Sequence, residues 1–161
     1  MRHAHKFSIL TLALLAGLAL AAPGHAVVVT YVASLDGTQE VPPNASPASG
    51  SGTFTIDTVA NTIAVSATFS GLVAPQTAAH IHCCAPPGVN AGVIIPFPIG
   101  SPIIGTFGYV EANEANILAG NSYINVHSQV FPGGEIRGQI LPPPPSATEQ
   151  ATWGMIKALY K

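Results

Sequence analysis

Three histidines dominate the chemistry this sequence can offer. His80-Ile81-His82 sets two imidazoles two residues apart. On a strand such a pair shares one face, because side chains alternate with a period of two. Imidazole nitrogen ligates Zn and Cu well, so His-x-His on one strand is a chelate. His127 could supply a third nitrogen. The bland alternative is structural: an imidazole also fits a half-buried strand and bonds loop carbonyls. Cys83-Cys84 follows at once, and the sequence has no other cysteine. An ordinary loop-closing disulfide is therefore impossible. A vicinal disulfide, two free thiols, bridges between chains, or thiolates joining the histidines on a soft metal remain. The candidate ligand set for Cu or Zn is thus His80, His82 and His127, with Cys83 and Cys84. Arg137 is the only basic residue between Val27 and Leu141. It reads as an ion-pair partner for Glu135, Glu111 or Glu114, or as a guide for anions beside His127. No Gly-x-Ser-x-Gly, P-loop, paired catalytic carboxylates or Ser/His/Asp set accompanies these residues. A catalytic reading has only the histidines to stand on.

The elements that must position them are strands. Val27–Leu35 is β-branched and aromatic, and Asp36-Gly37 ends it. Glu40–Gly52 reads as loop. Thr53–Asp57 and Thr62–Phe69 alternate, with Val59-Ala60-Asn61 as the turn between them. Thr77–His82 is a short strand. Cys83–Pro102 holds five prolines and reads as an irregular crossing. Ile103–Val110 is a strand, Ala112–Gly120 a helical turn, and Tyr123–Val130 with Glu135–Leu141 a final hairpin. A three-residue loop there, Pro132–Gly134, pairs Val126 with Ile140 and Val130 with Ile136. It sets His127 opposite Gln139 and Gln129 opposite Arg137. Apolar and polar residues then segregate to opposite faces, which a one-residue slip would undo. The expected fold is all-β: an antiparallel β-sandwich of about seven strands, Ig-like or superoxide-dismutase-like in architecture, or else a small barrel.

Composition agrees. Hydrophobic residues make up 48% and charged residues 7%, with Gly 16 and Pro 15. So little charge and so much proline exclude a long-helix protein. Five Lys and Arg, two of them in the first six residues, exclude a nucleic-acid partner. Arg2 and Lys6, the apolar run Phe7–Ala22 and the small residues around Gly24 and Ala26 describe a signal peptide, 1–26. Cleavage after Ala21 is the alternative. The apolar run is shorter than the roughly 20 residues a membrane span needs. The domain then runs over 27–141. Residues 142–161 form a Pro-rich spacer, Pro142 to Pro145, and a short tail helix behind the capping pattern Ser146-Ala147-Thr148-Glu149.

Several stretches together resemble the CHRD domain, the chordin-type module of many secreted proteins. They are Leu35-Asp36-Gly37-Thr38-Gln39-Glu40-Val41-Pro42-Pro43, Gly50-Ser51-Gly52, Ala79-His80-Ile81-His82 and Gly88-Val89-Asn90-Ala91-Gly92-Val93. Ala119 to His127 and Pro132 to Ile140 complete the set. The resemblance spans residues 29 to 140. It implies an extracellular β module rather than a particular reaction. Cys83-Cys84 stands where a Gly-containing turn is usual. Pro142–Lys161 does not match the sorting tail of many bacterial members. A shorter likeness, His80-Ile81-His82 and Gly133-Gly134 with Arg137, runs to copper–zinc superoxide dismutase. The rest of that family's ligands are missing.

The sequence therefore points to a secreted, periplasmic or surface-held binding module for an extracellular protein or glycan, with a Cu or Zn site at the histidines as the alternative. Exported protein is expected to begin at Val27, checked by intact mass. A mass that still includes Met1 to Ala26 would show a retained anchor instead.

Overall fold

The computed structural model describes residues 27–144. The segment expected to be a signal peptide, 1–26, and the stretch 145–161, where the end of the spacer and a tail helix are expected, lie outside the described residues. Eight strands follow in chain order: β1 Val28–Asp36, β2 Ser49–Asp57, β3 Thr62–Ser70, β4 Gln76–Cys83, β5 Gly92–Pro96, β6 Ile103–Gly108, β7 Ser122–Ser128 and β8 Ile136–Ile140. One short helix, α1 Glu114–Leu118, precedes β7. Every strand pairing is antiparallel, and the order across the sheet is β5-β4-β7-β8-β1-β2-β3-β6. The sheet curls so that its two edges approach: Phe97, just past β5, packs edge-to-face on Phe107 of β6 at 4.9 Å. The all-β expectation holds, with eight strands rather than about seven.

The extra strand is β5, inside the stretch read as an irregular crossing. Pro96 misled that reading. It faces His80 at the outer edge of the sheet, where a missing backbone donor is tolerated. The loop expected over Glu40–Gly52 also ends early. Ser49–Gly52 already pairs with Ser34–Asp36 and Ala33 as part of β2.

The period of two sorts the residues. Ala79, Ile81 and Cys83 of β4, Ile124 and Val126 of β7, and Ile136 and Ile140 of β8 are buried in one core with Leu35, Phe54, Ile56, Ile63 and Ile103. The last hairpin keeps the expected faces but not the expected partners. Val126 pairs with Ile136, Asn125 with Arg137 and Ser122 with Ile140. The ladder is displaced by four residues, an even number, so each side chain stays on its own face. Val130 lies outside the strand and is exposed. The cause is local: β7 stops at Ser128, whose hydroxyl accepts a hydrogen bond from Phe131 N at 3.3 Å. The loop is therefore longer than three residues.

The sheet is narrowest between β1 and β8. Asp36 pairs with Arg137 at one end. Val32 and Leu141 exchange backbone bonds of 2.8 and 3.0 Å at the other. Between them Gly138 faces inward. A Cβ there would lie 2.5 Å from the backbone oxygen of Ser34. Only glycine lets the two halves of the sheet meet. Gly138→Ala is expected to destabilise the domain by about 1–3 kcal/mol, the usual range for overpacking. Denaturant unfolding checks this.

Candidate metal centre

The opposite face of β4, β7 and β8 is polar. His80 and His82 point there from β4, Tyr123, Asn125 and His127 from β7, and Arg137 and Gln139 from β8. It is the outer face of the sheet, yet most of it is buried: Tyr123, His82, Asn125, His127, Arg137 and Gln139 all are. Two loops, 37–44 and 84–91, cover it. They are tied to each other by Asn90 Nδ2 donating to Val41 O, and to the strands by Gln139 Nε2 donating to Ala85 O. Buried polar groups need such partners.

The three histidines converge. His80 faces Asn125 and His82 faces Tyr123 across the ladder, while His127 faces Ala78. His80 and His127 are diagonal neighbours, with His80 Nδ1 and His127 Nε2 3.3 Å apart. One ring nitrogen from each histidine lies within 4.8 Å of the other two. Two ligands on one tetrahedral Zn ion sit about 3.3 Å apart, given Zn–N bonds of about 2.0–2.1 Å. One pair already has this spacing.

Hydrogen bonds set the tautomers. His82 Nδ1 donates to Ala91 O at 2.9 Å, and His127 Nδ1 donates to Pro132 O at 3.0 Å. A proton on Nδ1 leaves Nε2 with its lone pair free. His82 Nε2 is buried and has no partner. Metal-free, His80 Nδ1 can donate to His127 Nε2. To ligate through that nitrogen, it must carry its proton on Nε2 instead. His80 is half-buried and is the one ring of the three free to do so. Burial lowers the pKa of His80, and His127 adds to the effect. Burial also lowers that of His82 against its bond to Ala91, with His80, His127 and Arg137 pushing the same way. Both rings are thus neutral at pH 7, as ligands must be.

The cysteines do not join them. Cys83 and Cys84 form a vicinal disulfide. Alternation turns Cys83 into the core with Ile81, away from His82, and leaves Cys84 exposed. Arg137 takes neither role expected of it. Its guanidinium donates to Asn90 Oδ1, Val89 O and Gln139 Oε1, and lies 3.5 Å from the centre of the Tyr123 ring. Glu135 instead accepts from Ser46 Oγ and Val73 N.

Nothing local in the sequence marks Glu40 as a buried residue, since it stands among turn-forming residues. It is 4% exposed, with Oε2 accepting from Asn125 Nδ2 at 3.3 Å and Oε1 unpaired. Gly134, at φ +136, packs against both; a Cβ there would lie 2.6 Å from Glu40 Oε1. Burial raises the Glu40 pKa to about 7, outweighing the Asn125 bond and Arg137.

A family model for the CHRD domain matches residues 31–140. The chain belongs to the CHRD family. No match is found among curated proteins or solved structures. The CHRD match contains every strand but the first three residues of β1, and all three histidines.

The raised pKa of Glu40 has a definite sign. It contributes stability that is full below the unfolded value, near 4.5, and is lost as pH rises through about 7. Glu40→Gln keeps an acceptor for Asn125 and cannot ionise. Its stability relative to the parent CHRD domain is expected to rise by roughly 1–3 kcal/mol from pH 5 to pH 8. Thermal melts at both pH values check this, and a pH-independent difference would exclude Glu40 as the titrating group.

Proposed function

We propose that this is an exported, non-catalytic CHRD module that binds one Cu or Zn ion through His80, His82 and His127. The convergence of three ring nitrogens within 4.8 Å carries the reading. The two backbone carbonyls that hold His82 and His127 support it, because they direct Nε2 of both rings at the cluster. Three imidazole nitrogens leave one position of a tetrahedral ion open for water. Dismutase chemistry is not part of the proposal. Arg137 is 1% exposed and turned onto Tyr123, so it offers nothing to an incoming anion.

Export rests on Met1–Ala26, whose basic start, apolar run and small residues match a signal peptide. A companion role, contact with an extracellular protein or glycan, is supported by β2 and β3. Their outer face exposes Thr53, Ser66 and Thr68 and no charge among these positions.

Metal-free protein titrated with Zn²⁺ or Cu²⁺ is expected to bind one ion per chain. His82→Ala and His127→Ala should each weaken binding by more than the roughly 10–100-fold typical of losing a residue behind a ligand. Asn125→Ala should do less. Affinity should fall on acidification below pH 6.5, since protonated imidazole cannot ligate. A protein that holds neither metal after dialysis refutes the reading.

A further inference from the structure

We propose that Arg137 is a positioning residue for His82, acting through the loop Val89–Ala91, so that a buried guanidinium on β8 fixes a metal ligand on β4. The proposal rests on the reading of the histidines as a metal site and names what holds that site in shape.

The chain of contacts is continuous. Arg137 Nη2 donates to Val89 O at 3.0 Å and Nη1 to Asn90 Oδ1 at 3.3 Å. Asn90 Nδ2 donates to Val41 O at 3.0 Å, so the same side chain anchors the loop on its other flank. The next residue is held through both of its backbone polar groups. Ala91 N donates to Tyr123 Oη at 3.0 Å, and Ala91 O accepts from His82 Nδ1. Tyr123 stacks on His82 at 4.7 Å between ring centres, 1° from parallel, and Arg137 sits over the Tyr123 ring. The guanidinium thus reaches His82 by two routes: through the loop to Nδ1, and through the tyrosine ring to the imidazole plane.

A structural role alone does not account for this arginine. Burying a cation is costly unless it is paired. The Glu40 carboxyl favours the charge of Arg137 without a hydrogen bond to it, the hydrogen-bond acceptors of Arg137 are all neutral, and two of the three belong to an exposed loop that has no core of its own. Only a planar fork can hold two acceptors on successive residues while lying flat on an aromatic ring. What that fork gains is the position of Ala91 O. That oxygen decides which nitrogen of His82 carries the proton.

The test compares Arg137→Lys, Asn90→Ala and Asn90→Asp with the parent. Thermal melts check folding. Imidazole ¹⁵N spectra of the metal-free proteins read the His82 tautomer, and competition titration with Zn²⁺ reads affinity. The parent is expected to show His82 protonated on Nδ1 alone. Arg137→Lys and Asn90→Ala should mix the two tautomers and weaken Zn²⁺ binding roughly 10–100-fold. Asn90→Asp keeps an acceptor for Nη1 but loses the donor to Val41 O, so both readouts should fall between those of Asn90→Ala and the parent. An unchanged tautomer and unchanged affinity in the folded variants overturn the proposal. If Arg137→Lys does not fold, Asn90→Ala, at an exposed position, decides alone. If the parent binds no Zn²⁺, the metal reading falls, while the tautomer spectra still decide the role of Arg137.

Discussion

A guanidinium taken out of water must find its hydrogen bonds in the protein, and Arg137 does so at 1% exposure with three neutral acceptors and the face of one tyrosine. Those partners come from β7, β8 and the loop over them. Satisfying one charge therefore draws a connecting loop down onto the outer face of the sheet. The covered face then has to satisfy its other polar groups. Gln139 reaches Ala85 and Gly120, His82 reaches Ala91, and His127 reaches Pro132. The result is a second buried layer, polar where the first is apolar, built on the back of the same three strands.

Charge is distributed in this layer with a purpose that burial explains. Burial holds His80 and His82 neutral, and Glu40 ionises only near pH 7. Arg137 is the one group that keeps its charge throughout the neutral range. A cation placed among the histidines would add positive charge close to it. Glu40, bonded to Asn125 across from His80, brings a carboxylate into the same polar layer when it ionises. Opposite charges favour each other's presence, more strongly in a medium of low polarity.

Much of this was legible in the sequence, for a simple reason. Strand alternation is insensitive to even shifts in register. His80 and His82 share a face whatever they pair with, and His127 kept its polar face although its hairpin ladder moved by four residues. The same rule puts Cys83 on the side away from His82, against its place in the expected ligand set. Partner identities were not legible, because they depend on where β7 ends, and Ser128 ends it through a bond to Phe131. The roof was not legible either. Its contacts join residues far apart in the chain, such as Asn90 with Val41 and Arg137 with Val89. Glu40 and Asn125 gave no local signal of burial. Pro96 gave a false one, since only its place at a sheet edge makes it compatible with a strand.

The vicinal disulfide has a consequence of another kind. A cross-link restrains an unfolded chain by the loop it closes, and Cys83–Cys84 closes none, the two residues being adjacent. No two distant parts of the fold depend on it. Backbone ladders, the apolar core and the polar layer join the eight strands. The long-range architecture of the domain thus rests on no covalent cross-link, although it is read as an exported protein.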